Sequence, residues 1–101
     1  MYKTVREPEQ KCVVIDETHM QHQGLRLEYR LEAIARDRGT EFEMEVVLNA
    51  HERARAMLGC DLDSALFLYR RICRGTVPPC TLAEIVHELQ QELLRTQELW
   101  R

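Results

Sequence analysis

Four cysteines are the residues of this chain best suited to chemistry, because a thiolate can act as a nucleophile or bind a metal ion. Cys12, Cys60, Cys73 and Cys80 form no C-x2-C pair, and their spacing matches no zinc framework. Thiols stay reduced in a protein without an export signal, so we predict packing thiols rather than disulfides. The alternative is a metal or thiol site that uses Cys60, Cys73 and Cys80, with His87 as a further ligand.

The other reactive side chains suggest no catalytic centre. His19 and His22 lie in a polar stretch that we interpret as a solvent-facing turn. Ser64 is the only serine, and its position after Asp61 is typical of the start of a helix. The four glycines are isolated, so no phosphate-binding loop is present. We therefore predict that the chain is not an enzyme and has no catalytic, cofactor-binding or metal-binding residues.

Length and composition are those of one small globular domain. The chain has 101 residues, of which 45% are hydrophobic and 31% charged. It carries 17 acidic and 14 basic residues, a formal charge of -3, which argues against a nucleic-acid coat protein. No secretory signal and no long apolar run are visible in the sequence, so we expect a cytoplasmic protein with no membrane contact.

The elements that must position these residues begin with strands. Cys12–Asp16 is apolar and β-branched, and a polar connection over Glu17–Gly24 is expected to follow it. Strict apolar and polar alternation in Leu25–Ala33 and Glu41–Leu48 predicts two strands with one buried and one solvated face. A turn with Gly39 joins them. The first half of the chain is thus predicted to form a three-stranded antiparallel sheet.

The pairing register of the hairpin stays open. One register places Arg30 opposite Glu45, and the other places Arg36 opposite Glu41. Each register also sets Glu32 against another glutamate, so charge does not choose between them.

After Asn49 the apolar period becomes that of a helix. A short helix is predicted over residues 50–59, with Asn49 as its N-cap. Asp61 is expected to cap a second helix over Leu62–Arg74, which Gly75 ends.

The remaining chain completes an α+β domain. The Val77–Pro79 linker is extended because proline excludes a helix there, and the last helix starts at Leu82. We predict a single domain, 1–101, with a β-rich half over 1–49 and a helical half over 50–101. Its fold is a three-stranded antiparallel sheet followed by two to three helices packed on one face.

The chain resembles a family of small proteins from clostridia-type gut bacteria to which no activity is assigned. The resemblance lies in Leu25–Leu31, Phe42–Val46 and above all Gly75–Val86, which contains the Val-x-Pro linker and the Thr-Leu that opens the last helix. It covers roughly Leu25–Leu93. Family members have one helix before the linker, so residues 50–59 look like a lengthening. The resemblance implies the fold and supplies no catalytic residues.

An aromatic and basic surface is predicted on the helix over Leu62–Arg74. Phe67 projects away from the apolar arc of this helix and is flanked by Arg70, Arg71 and Arg74. These residues could form a cation–π contact within the chain or a partner-binding hot spot. Alternatively, the preceding helix or the N-terminal arm covers Phe67.

The last helix ends with apolar residues on more than one side. Leu94 and Leu99 project off its apolar seam, and Trp100 lies at the unsupported end of that seam. Either this end frays in solution, or it pairs with another chain. We predict self-association through it, because a core of this size has little room for the tryptophan.

The predicted function is a non-catalytic, cytoplasmic protein-interaction or regulatory module, with a protein partner that is a second copy if the C-terminal helix pairs with itself. The alternative is the metal or thiol site described above. Nucleic-acid binding through Arg70, Arg71 and Arg74 is less favoured, because the neighbouring elements are rich in glutamate. The candidate interface residues are Phe67, Arg70, Arg71, Arg74, Leu94, Leu99 and Trp100.

Overall fold

Within the described residues, the chain forms four antiparallel strands and two α-helices. The computed structural model describes residues 11–99, and the side chains of residues 11–96. The sheet order is β1-β2-β3-β4, a meander in which every neighbour in space is a neighbour in sequence. The elements are β1 (Cys12–His22), β2 (Leu25–Arg36), β3 (Gly39–Leu48), β4 (Glu52–Gly59), α1 (Leu62–Arg74), a 3₁₀ helix (Pro79–Thr81) and α2 (Leu82–Leu99). The α+β class is confirmed, and the strand number of three is wrong.

Alternation in the two central strands builds the core between one sheet face and both helices. Leu27, Tyr29 and Leu31 of β2 and Met44 and Val46 of β3 are all buried on this face. Burial of these apolar side chains stabilises the packing of the helices on the sheet, at about 25 cal/mol per Å² of apolar surface. The helices and the linker contribute Ala65, Leu68, Tyr69, Ile72, Val77, Leu82, Val86 and Leu89 to the same cluster.

The central hairpin adopts the first of the two predicted registers. Arg30 lies opposite Glu45, so Glu32 lies opposite Glu43. Arg36 and Glu41 nevertheless form an ion pair of 2.7 Å between Nε and Oε1, although they are not directly opposite each other.

The helix predicted over residues 50–59 is wrong, because this segment is β4. Its sequence ERARAML contains strong helix formers, but Ala54, Ala56 and Leu58 also alternate with Arg53 and Arg55. Pairing with β3 satisfies the backbone of both strands, and this tertiary gain outweighs the local helix propensity. The helical half therefore begins after Gly59, and one helix precedes the linker.

The polar connection predicted over Glu17–Gly24 is also wrong. β1 continues to His22, and only Gln23 and Gly24 form the turn. Both turn residues have positive φ, 52° and 84°, as a two-residue hairpin requires. The polar sequence concealed the strand because β1 is an edge strand and most of its side chains are exposed.

The helices follow the sequence signals closely. α1 spans the predicted range, and the Ser64 amide donates a hydrogen bond of 2.9 Å to Oδ2 of Asp61. This bond holds the pKa of the Asp61 carboxyl below its usual value. The predicted two to three helices are two α-helices, with the short 3₁₀ helix leading into α2.

The β3–β4 turn is strained at Ala50, and we expect Ala50→Gly to stabilise the protein. Asn49 and Ala50 have φ of 52° and 65°, and left-handed backbone costs a residue with a Cβ about 1–2 kcal/mol. After the entropy that glycine adds to the unfolded chain, a net gain of about 0.5–1 kcal/mol remains. Urea unfolding measures it. Ala54→Gly, inside β4, is the control and should destabilise; destabilisation by both changes would contradict the strained turn.

Candidate functional site

The predicted aromatic and basic surface lies on the outer side of α1. Phe67 is 40% exposed, and Arg70, Arg71 and Arg74 are exposed beside it. The guanidinium carbon of Arg71 is 5.6 Å from the Phe67 ring centroid, a cation–π distance. No helix over residues 50–59 covers Phe67, because this segment forms β4. The N-terminal arm, the other segment predicted to cover Phe67, lies outside the described residues.

A groove runs along this surface between α1 and α2. It has a volume of about 540 Å³, and its floor contains Val77, Ile85 and Leu89. Arg71 and Arg74 line the α1 side, whereas the α2 side carries two glutamates. These acidic residues are Glu88 and Glu92.

The two walls of the groove thus have opposite charge, yet they do not neutralise each other. Among the side chains of residues 11–96, no ion pair of 4 Å or less joins an arginine of α1 to a glutamate of α2. The acidic wall was not identified as part of a site from the sequence. Its signal was present as the four-residue spacing of Glu84, Glu88 and Glu92, which places them on one helix face.

The C-terminal end of α2 carries a second apolar surface. Leu94 is 55% exposed and lines a groove of about 370 Å³ with Leu58, Leu68 and Leu93. The start of α1 and the adjoining loop form the opposite side of this groove. The helix extends to Leu99, but the side chain of Leu99 and all of Trp100 lie outside the described residues.

The structure does not bring Cys60 and Cys73 together. Cys60 is exposed just before α1, and Cys73 is buried in its last turn, so a helix length of about 16 Å separates them. Burial raises the pKa of the Cys73 thiol, which disfavours its thiolate. Cys80 is exposed in the 3₁₀ helix, and His87 is exposed on α2. Among the residues described, no three histidine, cysteine or carboxylate side chains are grouped as a metal site.

The predicted turn histidines belong to β1 instead. His22 is its last residue, and His19 lies inside the strand on the sheet face away from the helices. The His19 ring nitrogens lie 3.8 Å from Glu17 and 3.9 Å from Glu28, and its side chain is 64% exposed.

Two buried tyrosines fix the helical layer on the sheet. The Tyr69 hydroxyl of α1 donates to the carbonyl of Tyr29 at 3.3 Å and lies 3.2 Å from the Thr18 hydroxyl of β1. The Tyr29 hydroxyl donates to the Val77 carbonyl at 3.0 Å, which holds the linker over the sheet. Burial raises the pKa of Tyr29 to about 12 and raises that of Tyr69 as well. These bonds position α1, which forms one wall of the groove, and Val77 of its floor relative to the sheet.

The opposite sheet face is a network of ion pairs around one glutamate. Glu45 is only 7% exposed, and it lies 4.0 Å from Arg30, 3.5 Å from Arg53 and 3.4 Å from Arg55. Arg55 also lies 2.9 Å from Glu43, and it offsets the repulsion that the hairpin register creates between glutamates. The charge of Glu45 is therefore satisfied within the chain. The centre of this face offers a partner less than the groove between the helices does.

The fold and the grooves define a class: an α+β protein with one open sheet face and an accessible helical layer. No family model matches the chain, and no curated protein or solved structure gives a match either. In the part of the chain that is described, neither helix combines the length and hydropathy of a membrane-spanning segment.

Proposed function

We propose that this chain is a non-catalytic, cytoplasmic protein-interaction module, and that it receives an amphipathic helix of a partner protein in the groove between α1 and α2. The observation that carries the proposal is the pair of oppositely charged walls over an apolar floor. An amphipathic helix laid in a groove makes such contacts through its apolar stripe and its two flanks.

The charges specify the kind of helix that fits. Arg71 and Arg74 favour an acidic flank, and Glu88 and Glu92 favour a basic one. The apolar stripe would lie on Ile85 and extend towards the exposed Phe67. A helix with one sign of charge on both flanks meets repulsion from one wall, so the groove discriminates between partners by charge pattern.

Synthetic peptides test this proposal without knowledge of the natural partner. The first peptide has a leucine stripe with glutamates on one flank and lysines on the other, and two matched peptides carry glutamates or lysines on both flanks. We expect the mixed peptide to bind about tenfold more tightly than either matched peptide. Fluorescence anisotropy gives the affinities, and amide shifts in nuclear magnetic resonance spectra locate the site.

Charge reversal of one wall provides the control. In the Arg71→Glu, Arg74→Glu double variant both walls are acidic, so the preference should move to the peptide with lysines on both flanks. All four changed or opposing side chains are exposed, and we expect the fold to be retained. The proposal is wrong if no peptide shifts the amides of α1 and α2, or if the preference is the same in both proteins.

Three other predictions from the sequence stand beside this proposal. Self-association through the C-terminal helix stays a prediction, for which the exposed Leu94 is the described residue. The metal or thiol alternative loses support because Cys60 and Cys73 are a helix length apart. Nucleic-acid binding through the arginines of α1 loses support from the acidic wall that faces them across the groove.

A further inference from the structure

The edge strand β1 carries three consecutive exposed apolar residues near its start, of which Val13 and Val14 lie on opposite faces of the sheet. Val13 is 61% exposed, Val14 47% and Ile15 40%, and they are consecutive. An uncovered edge strand also presents unpaired backbone N–H and C=O groups to any strand that can align with it. β1 is 11 residues long, so this edge can pair over most of one side of the sheet.

The other edge of the sheet, β4, is contacted by α2 at one backbone carbonyl. α2 lies along β4, and Nε2 of Gln90 donates a hydrogen bond of 3.4 Å to the carbonyl of Met57. Within residues 11–99, α2 thus contacts the edge formed by β4, and no described element pairs with the outer edge of β1.

The hairpin geometry identifies the backbone groups that point outwards from β1. His22 and Leu25 flank a two-residue turn, so their backbone groups form a hydrogen-bonded pair. The direction of the backbone groups alternates along the strand, so those of Gln21, His19 and Glu17 point away from β2. The Ala35 amide donates to the Lys11 carbonyl at 2.9 Å, so Lys11 faces β2 as well. The bulge at Ile15 reconciles these two ends. The outward residues are Cys12, Val14, Glu17, His19 and Gln21.

We infer that this edge binds a second copy of the chain, with two β1 strands paired antiparallel about a two-fold axis at Thr18. In this register Glu17 lies opposite the partner's His19, and His19 lies opposite the partner's Glu17. Antiparallel pairing joins outward residues to outward residues, so the neighbouring registers would set Glu17 opposite the partner's Glu17 or His19 opposite the partner's His19. Charge complementarity selects the register between them.

The same register places partner residues beside two of the three exposed apolar residues. Beyond the bulge, Val14 lies opposite the partner's Gln21, and Val13 lies opposite the partner's His22. Thr18 faces the partner's Thr18 on the side of the helices, a favourable cross-strand pair. About eight backbone hydrogen bonds form across the axis, and the result is one continuous eight-stranded sheet. This inference does not depend on the groove, which lies on the helical layer of each copy.

Two charge variants and their mixture test the inference. In the His19→Glu dimer, position 17 and the opposing position 19 of the partner are both glutamate. In the Glu17→Lys dimer, a lysine at position 17 lies opposite the histidine at position 19 of the partner. We expect each variant alone to dissociate at least tenfold more readily than the native chain. Their equimolar mixture should restore the dimer, because glutamate then faces histidine at one end and lysine at the other. Light scattering across a dilution series measures the mass, and circular dichroism confirms the fold.

Leu94→Glu is the matched control on the other predicted surface, and it should remain as dimeric as the native chain. A native chain that is monomeric at the highest concentration would overturn the inference. The inference would also be overturned if the two charge variants dimerised as the native chain does. A dimer that only Leu94→Glu dissociates would assign the contact to α2 instead. The peptide experiment reads out the groove separately, so the two proposals fail independently.

Discussion

Replacing Leu58 with alanine is expected to destabilise the protein by about 3 kcal/mol, whereas Met57→Ala should cost less than about 1 kcal/mol. Leu58 is buried against both helices, and its truncation leaves a cavity in the core. Met57 points to the opposite sheet face and is 40% exposed. Chemical unfolding in urea measures both differences. The contrast between adjacent residues follows directly from the two-residue period of β4.

The comparison also tests the placement of the groove. Leu58 lines the apolar surface beside Leu94. Its truncation should therefore change the amide chemical shifts at that end of α2 more than those of the sheet. Nuclear magnetic resonance spectra of the folded Leu58→Ala variant in the absence of urea would show this difference. Equal losses of stability for the two variants would contradict β4 as a strand with one buried face.

Above about pH 10 the protein is expected to lose stability steeply, because its two buried tyrosines resist ionisation. Burial raises the pKa of Tyr29 from 10.0 to about 12, and that of Tyr69 also rises. A group with a raised pKa in the folded state stabilises it fully below the unfolded pKa, and this stability is lost as the pH rises to the folded pKa. Tyr29 alone accounts for about 3 kcal/mol between pH 10 and 12.

Urea unfolding at several pH values measures the loss, and absorbance of the tyrosinate ion reports the ionisation. In Tyr29→Phe the protein should be less stable at neutral pH, because the bond to the Val77 carbonyl is lost, and should depend less on pH above 10. Cys73, whose pKa burial raises, adds to the loss at the lower end of the range. Cys12→Ala, a change at an exposed cysteine, is the control for the contribution of the buried cysteine to the pH dependence. Stability that is level from neutral pH to pH 12 would contradict the burial of the tyrosine hydroxyls.

The two proposed surfaces use different parts of the same scaffold. The helical groove depends on α1 and α2, and the tyrosine hydrogen bonds hold α1 and the linker on the sheet. The edge of β1 lies at the far side of the sheet from β4, where α2 contacts the Met57 carbonyl. A dimer through β1 would therefore present two grooves, one on each copy, and neither would be blocked by the strand pairing.

Much of the candidate site on α1 could be predicted from the sequence, because local signals determine it. The Asp61 cap and the spacing of the apolar residues place Phe67 and Arg71 on the outer side of α1, and their contact follows from four-residue spacing. The acidic wall could not be assigned to the same site, because that depends on how α1 and α2 pack. The edge of β1 was missed, because exposure of an apolar run is a property of the assembled sheet.

The sequence by itself determined the α+β class, the β2–β3 hairpin and the bounds of α1, because hydrophobic period and capping residues act over a few neighbouring positions. Only the tertiary structure decided that residues 52–59 are a strand, since β3 needs a partner and that need outweighs helix propensity. It also selected the register of the hairpin, because Arg55 from β4 approaches the glutamates that this register sets together. Both the β4 strand and the hairpin register depend on pairing between distant segments, which leaves no local signal in the sequence.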